Sequence, residues 1–311
     1  MFQLLNFQNN EVNEMNWKNM FPEEKRYFET NNGVLYCNDV VEQLKQFPSE
    51  SIDLVVTSPP YDNLRHYSAK NEKEFKNMWN FDKFKIVAKE LYQIMKTGGV
   101  MVWVVADATV NGSETGTSFK QALYFKEIGF NLHDTMIYLK NGFSNPSLNR
   151  YHQIFEYMFI FSKEKPKTFN PIKDRKNKYA GETCWGKNTV RQKDGTLEER
   201  KRRVNSEYGM RFNVWKYKVG GGIGQKDKIA YKHPATFPEQ LAYDHIISWS
   251  NENDIVLDPL CGSGTTLKMA EKLNRKWIGI EINPKYCEIA KQRIIKEVKN
   301  YDLERYISKG K

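Results

Sequence analysis

Asp254-Ile255-Val256-Leu257-Asp258-Pro259-Leu260-Cys261-Gly262-Ser263-Gly264-Thr265-Thr266 reads as a buried strand, a glycine turn and the first turn of a helix. Gly262 and Gly264 permit close backbone approach, and the helix expected over Thr265 to Asn274 carries an apolar stripe at Leu267, Ala270 and Leu273. A second strand, Lys276 to Ile282, follows. Its carboxylate, Glu281, stands 23 positions after Asp258, close to the roughly 20-residue spacing at which an acid meets ribose hydroxyls in mononucleotide-binding βαβ units. Leu267 occupies the third glycine position of the dinucleotide fingerprint, and an acidic Asp258 flanks the turn. The unit therefore suits a cationic or zwitterionic nucleotide-like ligand better than a nicotinamide dinucleotide.

Far upstream, Ile52 to Thr57 is a β-branched run that the two prolines of Ser58-Pro59-Pro60-Tyr61 cannot continue. The chain must turn at the carboxyl edge of this strand, where open α/β sheets bind ligands. A hydroxyl, an unconsumed carbonyl and an aromatic ring are thus delivered to one place. An aromatic amine is a poor nucleophile because its lone pair is delocalised into the ring. Acceptors such as Ser58 Oγ and the Ser58 or Pro59 carbonyl draw its N–H groups and make the nitrogen more tetrahedral. Tyr61 offers a face on which an extruded base can stack.

Together these stretches resemble the amino-directed DNA methyltransferases of the permuted β group, in which a Ser/Asp-Pro-Pro-Tyr motif precedes the cofactor motif. The similarity extends over most of residues 33 to 295. It implies a doubly wound α/β fold, a seven-stranded Rossmann-like methyltransferase sheet with a basic target-recognition insert, and S-adenosylmethionine as cofactor without a metal. By the same resemblance Asp258, Leu260, Cys261, Gly262, Ser263, Gly264, Thr265 and Thr266 cradle the methionine part, and Glu281 binds the ribose with Ile282 and Asn283 beside it. His233, Pro234, Ala235 and Phe237, within Lys232 to Pro238, close the pocket from the other side. Asp39, at the end of the Val34 to Asn38 strand, lies near the adenine, with Asn38 in place of the usual glycine. Ser58, Pro59, Pro60 and Tyr61 are the catalytic set.

Motif order separates relatives with different substrates. Protein-glutamine methyltransferases place Asn-Pro-Pro-Tyr after the cofactor motif, whereas here Ser58 comes 200 positions before Asp258, an order that points to DNA. Serine at the first motif position is commonest in cytosine-N4 enzymes and aspartate in adenine-N6 enzymes, so cytosine is the preferred target and adenine stays open. The reaction implied is direct in-line methyl transfer. None of the four cysteines has the Pro-Cys context of ring-carbon methylation. A non-catalytic DNA-binding subunit with the same fold, or an RNA or protein methyltransferase, are the rival readings.

Composition agrees with a DNA-handling enzyme. The chain has 311 residues, 40% apolar content and a formal charge of +10, which favours polyanionic partners. The charge is concentrated: residues 163 to 228 hold 19 Lys and Arg against 8 Asp and Glu. Such confinement marks a DNA-contacting insert. Within it Arg200, Lys201, Arg202, Arg203 and Arg211 are candidate contacts, and Arg65 belongs to a loop, Asp62 to Asn80, that leaves the catalytic turn and suits a DNA-clamping lid. Trp185, Tyr208, Phe212, Trp215 and Tyr217 are expected to form the insert's own small core, and Gly220 to Gly224 a hinge.

The organisation expected is an N-terminal extension (1–32), a catalytic half (33–162), the insert (163–228) and a cofactor-binding half (229–311). Strands are expected at Val34 to Asn38, Ile52 to Thr57, Val100 to Ala106, Leu132 to Leu139, Ile154 to Phe161, Ile255 to Asp258 and Trp277 to Ile282. Phe81 to Met95, Phe119 to Ile128 and Pro238 to Trp249 read as helices. The Leu132 and Ile154 strands should pair as a wide antiparallel hairpin at one sheet edge. The cysteines and five histidines show no ligand spacing, and no stretch approaches a membrane span. The cytoplasm is the expected location. Double-stranded DNA is the expected partner, with a cognate restriction endonuclease acting on the same site, and the protein is expected as a monomer or homodimer.

Overall fold

The computed structural model of the chain describes residues 17–60, 79–143, 148–183, 189–199, 203–219 and 224–309, the stretch 299–309 by backbone alone. Tyr61, Arg65, Cys184, Trp185, Arg200, Lys201, Arg202, residues 220–223 and nearly all of the expected lid lie outside these residues.

Nine strands make the main sheet: β1 (Arg26–Glu29), β2 (Gly33–Cys37), β3 (Ile52–Thr57), β4 (Met95–Val105), β5 (Asn131–Lys140), β6 (Phe155–Ser162), β7 (Val214–Tyr217), β8 (Ile255–Asp258) and β9 (Lys276–Glu281). Their spatial order is β1-β2-β9-β8-β3-β4-β6-β5-β7. The five strands from β2 to β4 in that order run parallel. They read as continuous apolar runs because both faces are covered. Leu54, Val55 and Val56 of β3, for example, are all fully buried.

The covers are helical: α1 (Val40–Leu44), α2 (Phe81–Ile94), α3 (Thr117–Glu127), α4 (Glu239–Trp249), α5 (Thr265–Lys272) and α6 (Pro284–Lys309). Asn80 caps α2 by accepting from Lys83 N at 2.8 Å, and Phe84, Val87, Ala88 and Leu91 form its buried stripe at helical spacing. On one face Leu44, Phe84, Leu91 and Phe125 of α1 to α3 pack with Val55, Met101 and Trp103. On the other, Leu241, Ile246, Leu267, Ala290 and Ile294 of α4 to α6 pack with Leu54, Val56 and Val102. This is the doubly wound α/β architecture expected.

All seven expected strands are present, and two more extend the sheet. β1 pairs antiparallel with β2 at one edge. At the other, β5 and β6 do pair antiparallel, but they are not the edge, because β7 adds parallel to β5. Trp215 and Tyr217 therefore do not build a separate core for the insert. The segment Val214–Tyr217 alternates exposed and buried, and its two inward rings sit in the core beside α4, Trp215 stacked on His245 at 4.6 Å and Tyr217 donating to Asp244 at 2.8 Å. Tyr208 and Phe212 are exposed.

The chain winds outward in two directions from one place. β3 leads to β4 on one side and β8 leads to β9 on the other, while Leu54 and Val256 pair at the junction. Carboxyl ends of strands at such a reversal leave a crevice between their loops.

Candidate active site

At that junction Thr57 Oγ1 donates to Asp258 Oδ1 at 2.7 Å, so the ends of β3 and β8 are joined by side chains as well as backbone. A cavity of about 870 Å³ opens above them. Ser58 and Pro60 lie on one side; Asp258 and the turn Leu260 to Ser263 form its floor; Glu281, Ile282 and Asn283 follow, and Thr265 also contributes. Opposite stand His233, Pro234, Ala235 and Phe237, with Asp39 at the far end. Residues drawn from five separate stretches of sequence thus meet at one edge.

The turn is shaped by its glycines. Gly262 and Gly264 have φ of +50° and +73°, a region in which a side chain is strained. A Cβ on Gly262 would lie 2.8 Å from His233 Nε2, and one on Gly264 would lie 2.7 Å from the Ala290 Cβ. Gly264 has its reason in packing against α6 and Thr266 in donating to Val56 O at 3.1 Å, so these two support the cavity from behind its lining. Pro59 is buried beneath it.

Two carboxyls dominate the electrostatics. Burial pushes Asp258 up to about 6, against the hydrogen bonds it receives from Thr57 and from Leu260 N. Glu281 accepts from Gly262 N at 3.0 Å and from Asn283 N at 2.8 Å. Burial, assisted by the charge of Asp258, still pushes Glu281 up to about 7. Such a carboxyl gains from a cation or a hydroxyl donor placed beside it. Asp39 differs: burial acts to raise it, yet the ion pair with Lys83 at 2.6 Å and the bond from Val41 N hold it below the usual carboxylate range. It also caps α1.

Several lining residues escape sequence reasoning. Lys83 reaches the cavity from α2, and Tyr138, Lys140 and Glu156 from the β5–β6 pair. Lys140 and Glu156 form an ion pair at 2.6 Å, while burial and then the nearby Glu156 keep the Tyr138 phenol protonated. Their signal was register: Tyr138 pairs with Glu156, and Lys140 is two positions on, hence on the same face. Arg211 lies elsewhere. It is bound to Asp174 at 2.5 Å and Asp244 at 2.6 Å and covers the Trp215 ring; burial opposes its charge, but the two acids outweigh burial and raise its affinity for the proton. Arg203, Arg191 and Lys193 are exposed.

A cavity lined by the glycine turn, Glu281 and Asp258 fits an adenosine-bearing, positively charged cofactor, and Ser58 lines the same cavity. Comparison with known proteins agrees. A sequence model of the DNA methylase family matches residues 52–292. The chain is 55% identical over 262 residues to orphan methyltransferase M.BamHII of Bacillus amyloliquefaciens, covering 84% of this chain and 94% of that protein. It is 29% identical to type II methyltransferase M.HpaI of Haemophilus parainfluenzae over 86% of this chain and 76% of that one. Among solved structures, the PvuII cytosine-N4-specific DNA methyltransferase superposes with a TM-score of 0.63 at 24% identity, covering 93% of this chain and 97% of that one. A putative DNA modification methylase of Thermus thermophilus, solved complexed with S-adenosyl-L-methionine, matches at TM-score 0.55 and 25% identity, over 85% of this chain and 95% of that one. The glycine turn, the prolyl turn and the family match over most of the chain lead to one assignment: this protein belongs to the DNA methylase family, the amino-directed N4/N6 methyltransferases.

Proposed function

We propose that this enzyme methylates the exocyclic amino group of a base extruded from double-stranded DNA, with cytosine N4 as the target. The observation that carries the reading is the continuity of one cavity from Glu281 and the Gly262 turn to Ser58 and Pro60. S-adenosylmethionine, when bound, supplies an electrophilic methyl on a sulfonium. Glu281 accepts from the ribose hydroxyls, and Asp258 at the head of the turn opposes the positive charge. Ser58 Oγ accepts from the target amine and orients its lone pair towards the methyl, while Pro59 and Pro60 keep the adjoining carbonyls out of helix or ladder bonds. Serine rather than aspartate at position 58 favours cytosine through the motif's resemblance to the cytosine-N4 group, since a hydroxyl can accept from either base amine.

The basic segment 163–213 is proposed to choose the DNA sequence, with Arg200, Lys201, Arg202 and Arg203 on phosphates or guanine edges and Arg65 at the extruded base's place. The type II name of M.HpaI supports a restriction endonuclease paired with this enzyme on one site, whereas the orphan name of the more similar M.BamHII favours an enzyme that acts without one. Among the described residues no helix is long and apolar enough to cross a membrane, which is compatible with a cytoplasmic site of action. Sequencing of plasmid methylated in cells expressing the protein is the deciding experiment. N4-methylcytosine at one short motif is expected. N6-methyladenine would replace the target base, and unmodified DNA with methyl transfer to RNA or protein would overturn the reading.

A further inference from the structure

Arg293 projects from α6 with only 1% of its surface exposed, and it belongs to none of the motifs above. Its guanidinium meets one piece of cavity wall directly and reaches a second through Gln225. Nη1 donates to Ser263 O at 2.7 Å, Ser263 Oγ at 3.1 Å and Thr265 Oγ1 at 3.0 Å, all on the glycine turn. Nη2 donates to Gln225 Oε1 at 2.5 Å and Glu239 Oε1 at 3.0 Å, and Nε lies 3.4 Å from Asp227 Oδ2. Gln225 passes the contact on, donating to Phe237 O at 2.5 Å. Lys268 sits 2.5 Å from Asp227 and 2.9 Å from Glu239, with Glu297 at 3.7 Å from Lys268 and Lys296 at 3.4 Å from Asp227, so acids and cations alternate through the cluster.

We propose that Arg293 is a positioning residue that fixes the distance between the glycine turn and the His233–Phe237 wall, and through it the affinity for S-adenosylmethionine. The proposal rests on the cofactor reading above. Both walls line the cavity, yet they belong to different stretches of chain, with α4 between them. One rigid plane carrying five donors can hold both at fixed separation, whereas a lysine ammonium is a point charge that cannot span them. The Lys268 ammonium meets only the acids and not the turn.

The test compares R293K and Q225A with a control, Q121A. R293K keeps the charge and removes the fork. Q225A keeps every charge and removes the relay, losing the acceptor of Arg293 Nη2 together with the donor to the Phe237 carbonyl and to Thr265 Oγ1. Q121A removes the buried acceptor of Trp103 Nε1, a residue that does not line the cavity. Calorimetry with S-adenosylmethionine should give a Kd about tenfold weaker for R293K and Q225A, the scale of a lost hydrogen bond involving a charged group. The cofactor KM should rise in parallel while kcat at saturating cofactor stays within about twofold, since the amine end of the cavity is untouched. The control should lose thermal stability but keep its Kd. Should R293K not fold, Q225A decides alone. Wild-type affinity in both variants, weakening no greater than that of Q121A, or a fall confined to kcat would overturn the proposal. Wild-type protein that binds no S-adenosylmethionine would overturn the cofactor reading as well, a result distinct from variants that bind as tightly as wild type.

Discussion

The glycine turn and the basic segment are built on opposite plans. Around the turn Cys261, Gly262, Ser263, Gly264, Thr265, Thr266 and Leu267 are buried, and their backbone and side chains are tied to β3, β9 and α6. In the basic segment the ribbon formed by Thr189–Arg191 and Leu197–Glu199 is largely exposed and pairs only with itself among the described residues. The contrast follows from the task. A cofactor is the same at every turnover and rewards a fixed mould, whereas the DNA-contacting role proposed for the basic segment calls for charges that stay hydrated until DNA arrives.

The largest effect should come from the moulded side. Ser58→Ala is expected to slow methyl transfer by on the order of 10²–10³, with cofactor affinity unchanged, because the hydroxyl serves the amine and not the sulfonium. Single-turnover rates alongside calorimetry check this; near-normal turnover would leave only the backbone carbonyls as acceptors. Arg211→Ala tests where the contrast has its border. Although it sits among basic residues, its loss should cost about 2–3 kcal/mol in chemical denaturation by leaving the buried Asp244 with only the neutral donors Tyr217 and Gln240, while the salt dependence of DNA binding stays put. A flattened salt slope with unchanged stability would return Arg211 to the DNA interface.

Glu281 joins affinity to pH. Its folded carboxyl titrates at about 7 against an ordinary 4.5, so the folded state holds a proton that the unfolded state releases. That contribution to stability is complete below pH 4.5 and is lost as pH rises to about 7. Cofactor works in the other direction, since ribose hydroxyls and a sulfonium favour the ionised form. S-adenosylmethionine should bind more tightly as pH rises through about 7, releasing a proton, and calorimetry in buffers of different ionisation enthalpy reads the release. Glu281→Gln should weaken binding by about 1–3 kcal/mol and abolish the proton release. Proton release that survives the substitution would assign it to Asp258. The smallest effect belongs to a single exposed charge: Arg203→Gln should lower the log–log salt slope of DNA binding by about one unit at most. A change in the methylated sequence, read on plasmid, would make it a base contact instead.

Legibility in the sequence divides along the same border. The turn, β8, β9 and β3 announce themselves because buried parallel strands are apolar runs and tight turns demand glycine, both local properties of the chain. Asp258, Glu281 and Ser58 are placed by such signals and His233 by the family resemblance alone, and all four meet in one cavity. β7 was hidden because four residues, Val214-Trp215-Lys216-Tyr217, carry alternation too short to outweigh the charge around them. Arg293 gave no signal at all: on a sequence it is one more cation on a charged helix, and its burial follows from tertiary contacts with residues 28 to 68 positions away. Lys140 and Glu156 became visible only with strand register in hand.

The junction of β3 and β8 also governs how the molecule comes into being. Leu54 finds Val256 only after the chain has closed a loop of about two hundred residues, and pairings that distant are slow to nucleate. A ribosome-bound chain released as far as β6 holds Ser58 and the strands on one side of β3 but has no neighbour for β3 on its other side. The enzyme is therefore expected to bind cofactor only once β8 and β9 have been made and threaded into the centre. Nascent chains arrested before β8 should bind no cofactor, and an arrested chain already competent to bind would show that the two halves fold in a different order.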